Sequence, residues 1–382
     1  MYNSIIRPLL FAMNIEHAHR LVVAVLRAIG RIPGGRWLLH RAYAEEHPSL
    51  EREVFGLRFK NPVGLAAGFD RNGDIYRELS AMGFGFVEIG TVTPRAQNGN
   101  PKPRIFRLPG DRAIVNRIGL SNRGLDRAIY NLRRPHEGVI VGCNIGKNTI
   151  TPHDNAATDY LKLFRNLYQY VDYFTVNISY NTTSQEYSPS SREEITAILN
   201  PLFDFRRGQN QYRPILLKIS PDLPDEQIDL MTDIMVDTPL DGIVAANATA
   251  SRSGLGSTHE QIAACGPGAV SGAPLTRRSI DIVRRISERS HGAYPIIGVG
   301  GMMTPDDVRA MLDAGASLVQ VYTGFIYGGP QFAGDICRAL AEQPRPETPK
   351  AETIPAGEEH SSDDAAAAPT AAETQTGPAS EK

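Results

Sequence analysis

Residues 295–324 read Pro-Ile-Ile-Gly-Val-Gly-Gly-Met-Met-Thr-Pro-Asp-Asp-Val-Arg-Ala-Met-Leu-Asp-Ala-Gly-Ala-Ser-Leu-Val-Gln-Val-Tyr-Thr-Gly. A short β-rich run ends at Gly300-Gly301. Thr304-Pro305-Asp306-Asp307 then gives a helix start, with a capping hydroxyl, proline in the first turn and acids at the positive end of the helix dipole. A second apolar run ends at Tyr322-Thr323. The stretch is a strand–helix–strand unit, the building block of a parallel sheet.

The same alternation recurs outward from it. Strands are expected near 61–67, 84–91, 138–144, 173–179, 214–219, 242–247, 295–301 and 318–323. Helices are expected near 73–82, 121–132, 155–169, 192–204, 224–236, 275–288 and 304–314, with another from 330. Eight of each over residues 48–342 fit an α/β fold of the (β/α)8 TIM-barrel type. A doubly wound sheet would need a dinucleotide fingerprint near its first strand, and none is present.

Two segments flank the barrel. In residues 1–47, Tyr2, Ile5, Ile6, Leu9 and Met13 share one helical face; after a cap at Asn14, Ala18, Val22, Val25, Leu26 and Ile29 share another. These two short amphipathic helices suit either a cap on a barrel end or a membrane surface. Residues 343–382 hold eight acids, three bases and no aromatic residue, and are expected to form a disordered acidic tail. The chain's net charge of −2 therefore averages an acidic tail, a near-neutral body and a first segment with six arginines against three glutamates. A neutral body argues against nucleic acid as a partner. Cys143, Cys265 and Cys337 show no paired spacing, so neither disulfides nor zinc are expected. No apolar run reaches the ~18 residues of a membrane span.

In a barrel of this kind the chemistry sits at the C-terminal strand ends. Asn144, Asn177, Lys218 and Asn247 fall there together, and four such polar groups are costly to bury without a polar ligand. Gly300-Gly301 and Thr323-Gly324 follow the last two strands, the usual phosphate cradle of the fold. Gly146-Lys147-Asn148 is not a P-loop, because Gly142 lies one residue too close and Asn148 is neither Ser nor Thr. No histidine sits at a strand end and there is no HExxH, so no metal is expected. A planar ligand, a phosphate cradle and a lysine without metal are consistent with flavin mononucleotide (FMN).

At these residues the chain resembles the class 2, quinone-dependent dihydroorotate dehydrogenase family. The likeness runs from Met1 to about Leu340 and includes Asn61-Pro-Val-Gly-Leu-Ala-Ala-Gly68, Gly90-Thr-Val-Thr-Pro-Arg95, Gly99-Asn-Pro-Lys-Pro-Arg104, Asn144-Ile-Gly-Lys-Asn148, Ser271-Gly272, Gly298-Val-Gly-Gly301 and Tyr322-Thr-Gly324. Glu16-His17-Ala18-His19 also looks like that class. The resemblance implies FMN-dependent oxidation of dihydroorotate to orotate in pyrimidine biosynthesis, with a membrane quinone as acceptor. It also implies peripheral attachment to the cytoplasmic face of the cell membrane through the N-terminal helices, with His19 beside the quinone. Ala67, Gly68, Thr91, Asn144, Asn177, Lys218, Ala246, Gly272, Gly301, Tyr322 and Thr323 would hold FMN. Asn116, Asn177 and Asn247 would bind the pyrimidine, within a substrate set that also takes in Arg71, Arg117, Ile118, Gly119, Leu120, Thr182 and Ala248.

Departures from the family pattern cluster in that set. Arg71 replaces a lysine, Leu120 an aromatic residue, and Ala246 and Ala248 replace threonines. The segment Asn177-Ile-Ser-Tyr-Asn-Thr-Thr-Ser184 stands where the family carries its catalytic serine. Read without a gap, Tyr180 takes the base position and Thr182 replaces a substrate-binding Asn; a one-residue deletion makes Ser179 the base instead. These changes leave open a flavin-binding relative that has lost the chemistry, in a scaffold or regulatory role, or one that acts on another small anion.

Overall fold

The computed structural model describes residues 2–133, 138–178, 180–181, 186–187 and 189–342, with the side chains of 180, 181, 186 and 187 excepted. The expected tail 343–382, Ser179 and Thr182 lie outside the described residues.

Asn14 caps the N-terminal segment as its position suggests, its Oδ1 accepting from the backbone N–H groups of Glu16 and His17. A π-helical stretch, Tyr2–Ile6, runs into α1 (Arg7–Ala12); α2 (Ile15–Arg31) follows the cap and α3 (Gly35–Tyr43) follows Gly34. Three helices thus stand where two were expected, and α2 is 17 residues long. Gly34, at φ 78°, turns the chain between α2 and α3.

The chain continues through a hairpin, β1 (Arg52–Val54) and β2 (Leu57–Phe59), to β3 (Val63–Leu65), α4 (Tyr76–Ala81), β4 (Phe86–Val92), β5 (Ile105–Leu108), β6 (Ala113–Asn116) and α5 (Gly124–Leu132). Next come β7 (Ile140–Ile145), α6 (Ala156–Leu167), β8 (Tyr173–Asn177), β9 (Tyr180–Asn181), β10 (Glu186–Tyr187) and α7 (Arg192–Arg207). Then follow β11 (Ile215–Ile219), α8 (Asp225–Asp237), β12 (Gly242–Ala245), α9 (His259–Cys265), β13 (Ala269–Gly272) and α10 (Thr276–Arg289). The chain of elements closes with β14 (Ile296–Val299), α11 (Pro305–Asp313), β15 (Leu318–Val321), α12 (Thr323–Gly328) and α13 (Phe332–Glu342). Strands β3, β4, β7, β8, β11, β12, β14 and β15 form a closed parallel barrel in chain order, the expected TIM barrel. Sequence reading missed the β1–β2 hairpin, α9 and the antiparallel sheet β5–β6–β13, whose strands are too short to show a period of their own.

The two-residue period of a strand turns alternate side chains inward, which stacks the interior in layers. Phe86, Tyr173, Leu216, Ile297 and Leu318 form an apolar floor, and Val54 and Phe59 of the hairpin join it. Two residues further along, the same strands carry Glu88, Thr175, Lys218 and Gln320; two further still they carry Gly90, Asn177, Ser220 and Tyr322. The floor is tightly packed at Gly142, where an added Cβ would lie 2.1 Å from Cζ of Tyr173. Gly142→Ala therefore costs about 1–3 kcal/mol by overpacking, read as a lower Tm in thermal denaturation; an unchanged Tm would mean that the Tyr173 ring can yield.

Candidate active site at the C-terminal strand ends

Above the polar layer lies a cavity of about 290 Å³. Strand ends and their loops contribute Ala67, Gly68, Thr91, Asn177, Lys218, Ala246, Asn247 and Ala248, and the last two strands add Gly301, Tyr322 and Thr323. Ile118, Gly119, Leu120 and Arg71 line it from loops after the first two barrel strands, and Asn116 from the end of β6. Gly272 arrives on β13, so the unforeseen antiparallel sheet forms one wall. Glu16 and His19 of α2 complete the rim.

Two expected site residues stand apart. Asn144 is fully buried beneath the cavity rather than on its wall: its Nδ2 donates to Glu88 Oε1 at 2.9 Å and its Oδ1 accepts from Thr91 Oγ1 at 2.6 Å. Arg117 turns its guanidinium away, donating to the carbonyls of Cys265, Pro267 and Pro103 and lying over the Phe106 ring. Three carbonyls and a ring account for that side chain without an anion. Tyr180 lies in β9, paired through its backbone with Tyr187.

The buried charge that sequence reading missed is Glu88. Its carboxylate is wholly inside the barrel and accepts from Asn144, Gln320, Thr175 and Tyr173. Burial pushes the Lys218 ammonium below its ordinary pKa, and the Glu88 carboxylate opposes that fall. The clue in the sequence was parity: Glu88 lies two residues from Phe86, and so shares its inward face. Gln320 escaped for the same reason. Its Nε2 donates to Glu88 at 2.7 Å, while its buried Oε1 has no hydrogen-bond partner among the described residues.

At the rim, His19 Nε2 lies 2.9 Å from the Phe69 carbonyl, and the His19 ring meets the Phe69 ring edge-on. Burial pushes its pKa from 6.5 to about 4; the Arg71 charge adds to the fall, while Phe69 and Glu16 oppose it. Glu16 accepts from Arg104 at 2.7 and 3.1 Å and so ties α2 to the loop before β5. Burial acts to raise the Glu16 pKa, but Arg104 and Lys102 outweigh it and hold it below the usual value.

Comparison with known proteins fits this arrangement. The family model described as dihydroorotate dehydrogenase matches residues 49–343. The dihydroorotate dehydrogenase (quinone) of Christiangramia forsetii is 46% identical over 343 residues, covering 90% of this chain and 99% of that protein. The protein of the same name from Thermobifida fusca is 44% identical over 351 residues, covering 89% and 92%. The crystal structure of the Eimeria tenella dihydroorotate dehydrogenase in complex with ferulenol superposes with a TM-score of 0.74 at 32% identity, covering 85% of this chain and 90% of that one. Nothing in these matches favours a non-catalytic relative. The chain belongs to the dihydroorotate dehydrogenase family.

Proposed function

We propose that the chain oxidises dihydroorotate to orotate with bound FMN, passing the electrons to a membrane quinone. The observation that carries this reading is the cavity itself, which combines buried Lys218, paired amides, Arg71 and a partnerless acceptor at Gln320, and opens beside α2. Gln320 Oε1 suits a ring N–H donor, since a buried acceptor without a partner is costly. Gly300 and Gly301 with Thr323 and Gly324 bring two stretches of backbone to the cavity with little side-chain bulk, as a phosphate site requires. FMN would be held by Ala67, Gly68, Thr91, Asn177, Lys218, Ala246, Gly272, Gly301, Tyr322 and Thr323, with Asn144 acting from below through Thr91. Held there, FMN would supply two-electron redox chemistry, as a hydride acceptor toward dihydroorotate and an electron donor toward quinone.

The remaining roles belong to the chain. Arg71 presents a guanidinium to the orotate carboxylate. Asn116, Asn177 and Asn247 offer the pyrimidine its hydrogen bonds. The base that removes the C5 proton comes from Tyr180 or Ser179, and loss of that proton with the C6 hydride leaves the C5=C6 double bond. Lys218 offsets negative charge that develops on the cofactor ring. Adding dihydroorotate to the flavin-loaded protein bleaches the flavin absorbance, and a quinone restores it. Lys218→Ala slows turnover by about 10²-fold or more. Loaded protein that dihydroorotate cannot bleach would sink this reading.

Quinone is uncharged and apolar, and His19 faces it as a neutral ring. The unfolded chain binds the His19 proton below pH 6.5 and the folded chain below about 4. Stability tied to His19 is therefore complete above pH 6.5 and is lost as the pH falls toward 4. His19→Gln keeps a donor for the Phe69 carbonyl and reduces that loss by about 1–2 kcal/mol, seen as a smaller fall in Tm between neutral and acid pH. A parallel fall in both proteins would contradict it.

The helices α1–α3 leave Leu9, Trp37 and Leu38 at least 60% exposed, with Ile5, Met13, Leu21 and Val25 also outward. No helix among the described residues is long and apolar enough to cross a membrane. This face suits peripheral attachment at the cytoplasmic side of the cell membrane. The protein should sediment with anionic lipid vesicles. Leu9→Asp or Trp37→Asp should weaken that partition by about tenfold, from the lost burial of one large apolar side chain; equal sedimentation of the variants would place attachment elsewhere.

A further inference from the structure

Four hydrogen bonds lead from the barrel core to the cavity, and all four donate in the same direction. Asn247 Nδ2 donates to Asn177 Oδ1 at 3.1 Å, and Asn177 Nδ2 to Thr91 Oγ1 at 3.4 Å. Thr91 Oγ1 donates to Asn144 Oδ1 at 2.6 Å, and Asn144 Nδ2 to Glu88 Oε1 at 2.9 Å. An Asn amide and a Thr hydroxyl each donate and accept, so nothing within Asn144, Thr91, Asn177 and Asn247 decides which way such a chain runs. A carboxylate decides it, because it accepts and does not donate. With Glu88 at the inner end, Asn144 must turn its NH2 inward, which leaves its Oδ1 for Thr91; Thr91 must then give its proton inward and accept from Asn177. The same carboxylate takes the Nε2 of Gln320 and so leaves Gln320 Oε1 without a partner among the described residues, in a residue that lines the cavity.

We infer that Glu88 is a positioning residue: it fixes the donor–acceptor direction of Asn177 and Asn247, and hence which hydrogen-bonding edge the cavity offers the pyrimidine. The inference rests on the proposed function, since it takes these two amides as the substrate's contacts. Glu88 touches neither substrate nor cofactor in this scheme. Its contribution is pre-organisation: an amide free to flip would spend half its orientations presenting the wrong group, and a wrong pairing strands a buried donor or acceptor.

The test uses the full-length, flavin-loaded protein, with orotate as the probe and its Kd read from the perturbation of the flavin absorbance. Wild type must bind orotate and be bleached by dihydroorotate; if it does neither, the functional reading fails and takes this inference with it. Glu88→Gln keeps the shape but supplies a group that can donate, and is expected to weaken orotate binding about tenfold at equal flavin content. Glu88→Gln combined with Asn144→Asp moves the obligate acceptor one step outward. The new carboxylate can then accept from position 88 on one side and from Thr91 on the other, so affinity should recover to within about threefold of wild type. A purely structural role for Glu88 predicts no such recovery, because the double change disturbs the core twice.

Thr91→Val cuts the chain in the middle and should match the loss in Glu88→Gln, while Thr91→Ser should retain affinity. Adding Glu88→Gln to Thr91→Val should cause no further loss, since the two changes act on one path. Wild-type orotate affinity in Glu88→Gln, or losses that multiply in the double variant, would overturn the inference. Should the Glu88 variants fail to fold, the position 91 pair still decides: orotate binding by Thr91→Val as tight as wild type means that no direction is passed along the chain.

Discussion

A closed barrel of parallel strands has an interior that no strand edge can relieve, and every second residue of eight strands must be accommodated there. This constraint sorts the residues by depth. At the floor the barrel is narrow and apolar, and Gly142 admits the Tyr173 ring because it has no Cβ. One layer up, a carboxylate and an ammonium are buried in the same interior, and neither would be tolerated alone. Four donors surround Glu88, and its charge resists the fall in the Lys218 pKa. The cavity above therefore has a polar base whose carboxylate is satisfied from within the barrel, while Gln320 Oε1 is left for whatever occupies the cavity.

The same depth order explains which parts of the site were legible in the sequence. Asn177 and Asn247 lie at strand ends, where a polar residue interrupts an apolar run, so residue type and position both point to them. Asn144 and Lys218 are marked equally well, but Lys218 lines the cavity whereas Asn144 meets Thr91 and Glu88 beneath it. Strand ends can be read from composition; the radial depth of each end depends on the stagger of its neighbours, which no local pattern contains. Glu88 and Gln320 were hidden by the same rule, since a polar residue inside a strand reads as a solvent-facing position until closure turns it inward. Arg117 escaped for a different reason. Its partners at positions 103, 265 and 267 are brought together by β13 pairing with β6, a contact more than 140 residues apart in sequence.

Fold class was legible because it repeats. Eight strands and the helices between them each carry a weak signal, and their alternation reinforces it. The hairpin and the antiparallel sheet break that repeat and have strands of only three or four residues, yet they close the barrel floor and build a cavity wall. What does not repeat is thus what distinguishes this barrel as a site from a barrel as a scaffold.

The N-terminal helices show how a segment can be bound to the barrel and still present an apolar face. Leu26 and Leu39 pack into the main hydrophobic core, and polar attachments join them. Arg107 donates to the carbonyls of Leu10, Phe11 and Met13 at the end of α1, and Tyr2 donates to the Ile326 carbonyl. Arg104 holds Glu16, and Arg27 holds Asp74 at 2.7 Å. Outward from these anchors the segment leaves Leu9, Val25 and Trp37 exposed, alongside the exposed arginines Arg20, Arg31, Arg36 and Arg41. The inner face meets the cavity at Glu16 and His19, and burial with a neighbouring arginine keeps His19 neutral. Under the proposed function this is the arrangement that an uncharged acceptor needs: entry through an apolar surface, past a ring that carries no charge, to a cofactor whose own charge would be met by Lys218.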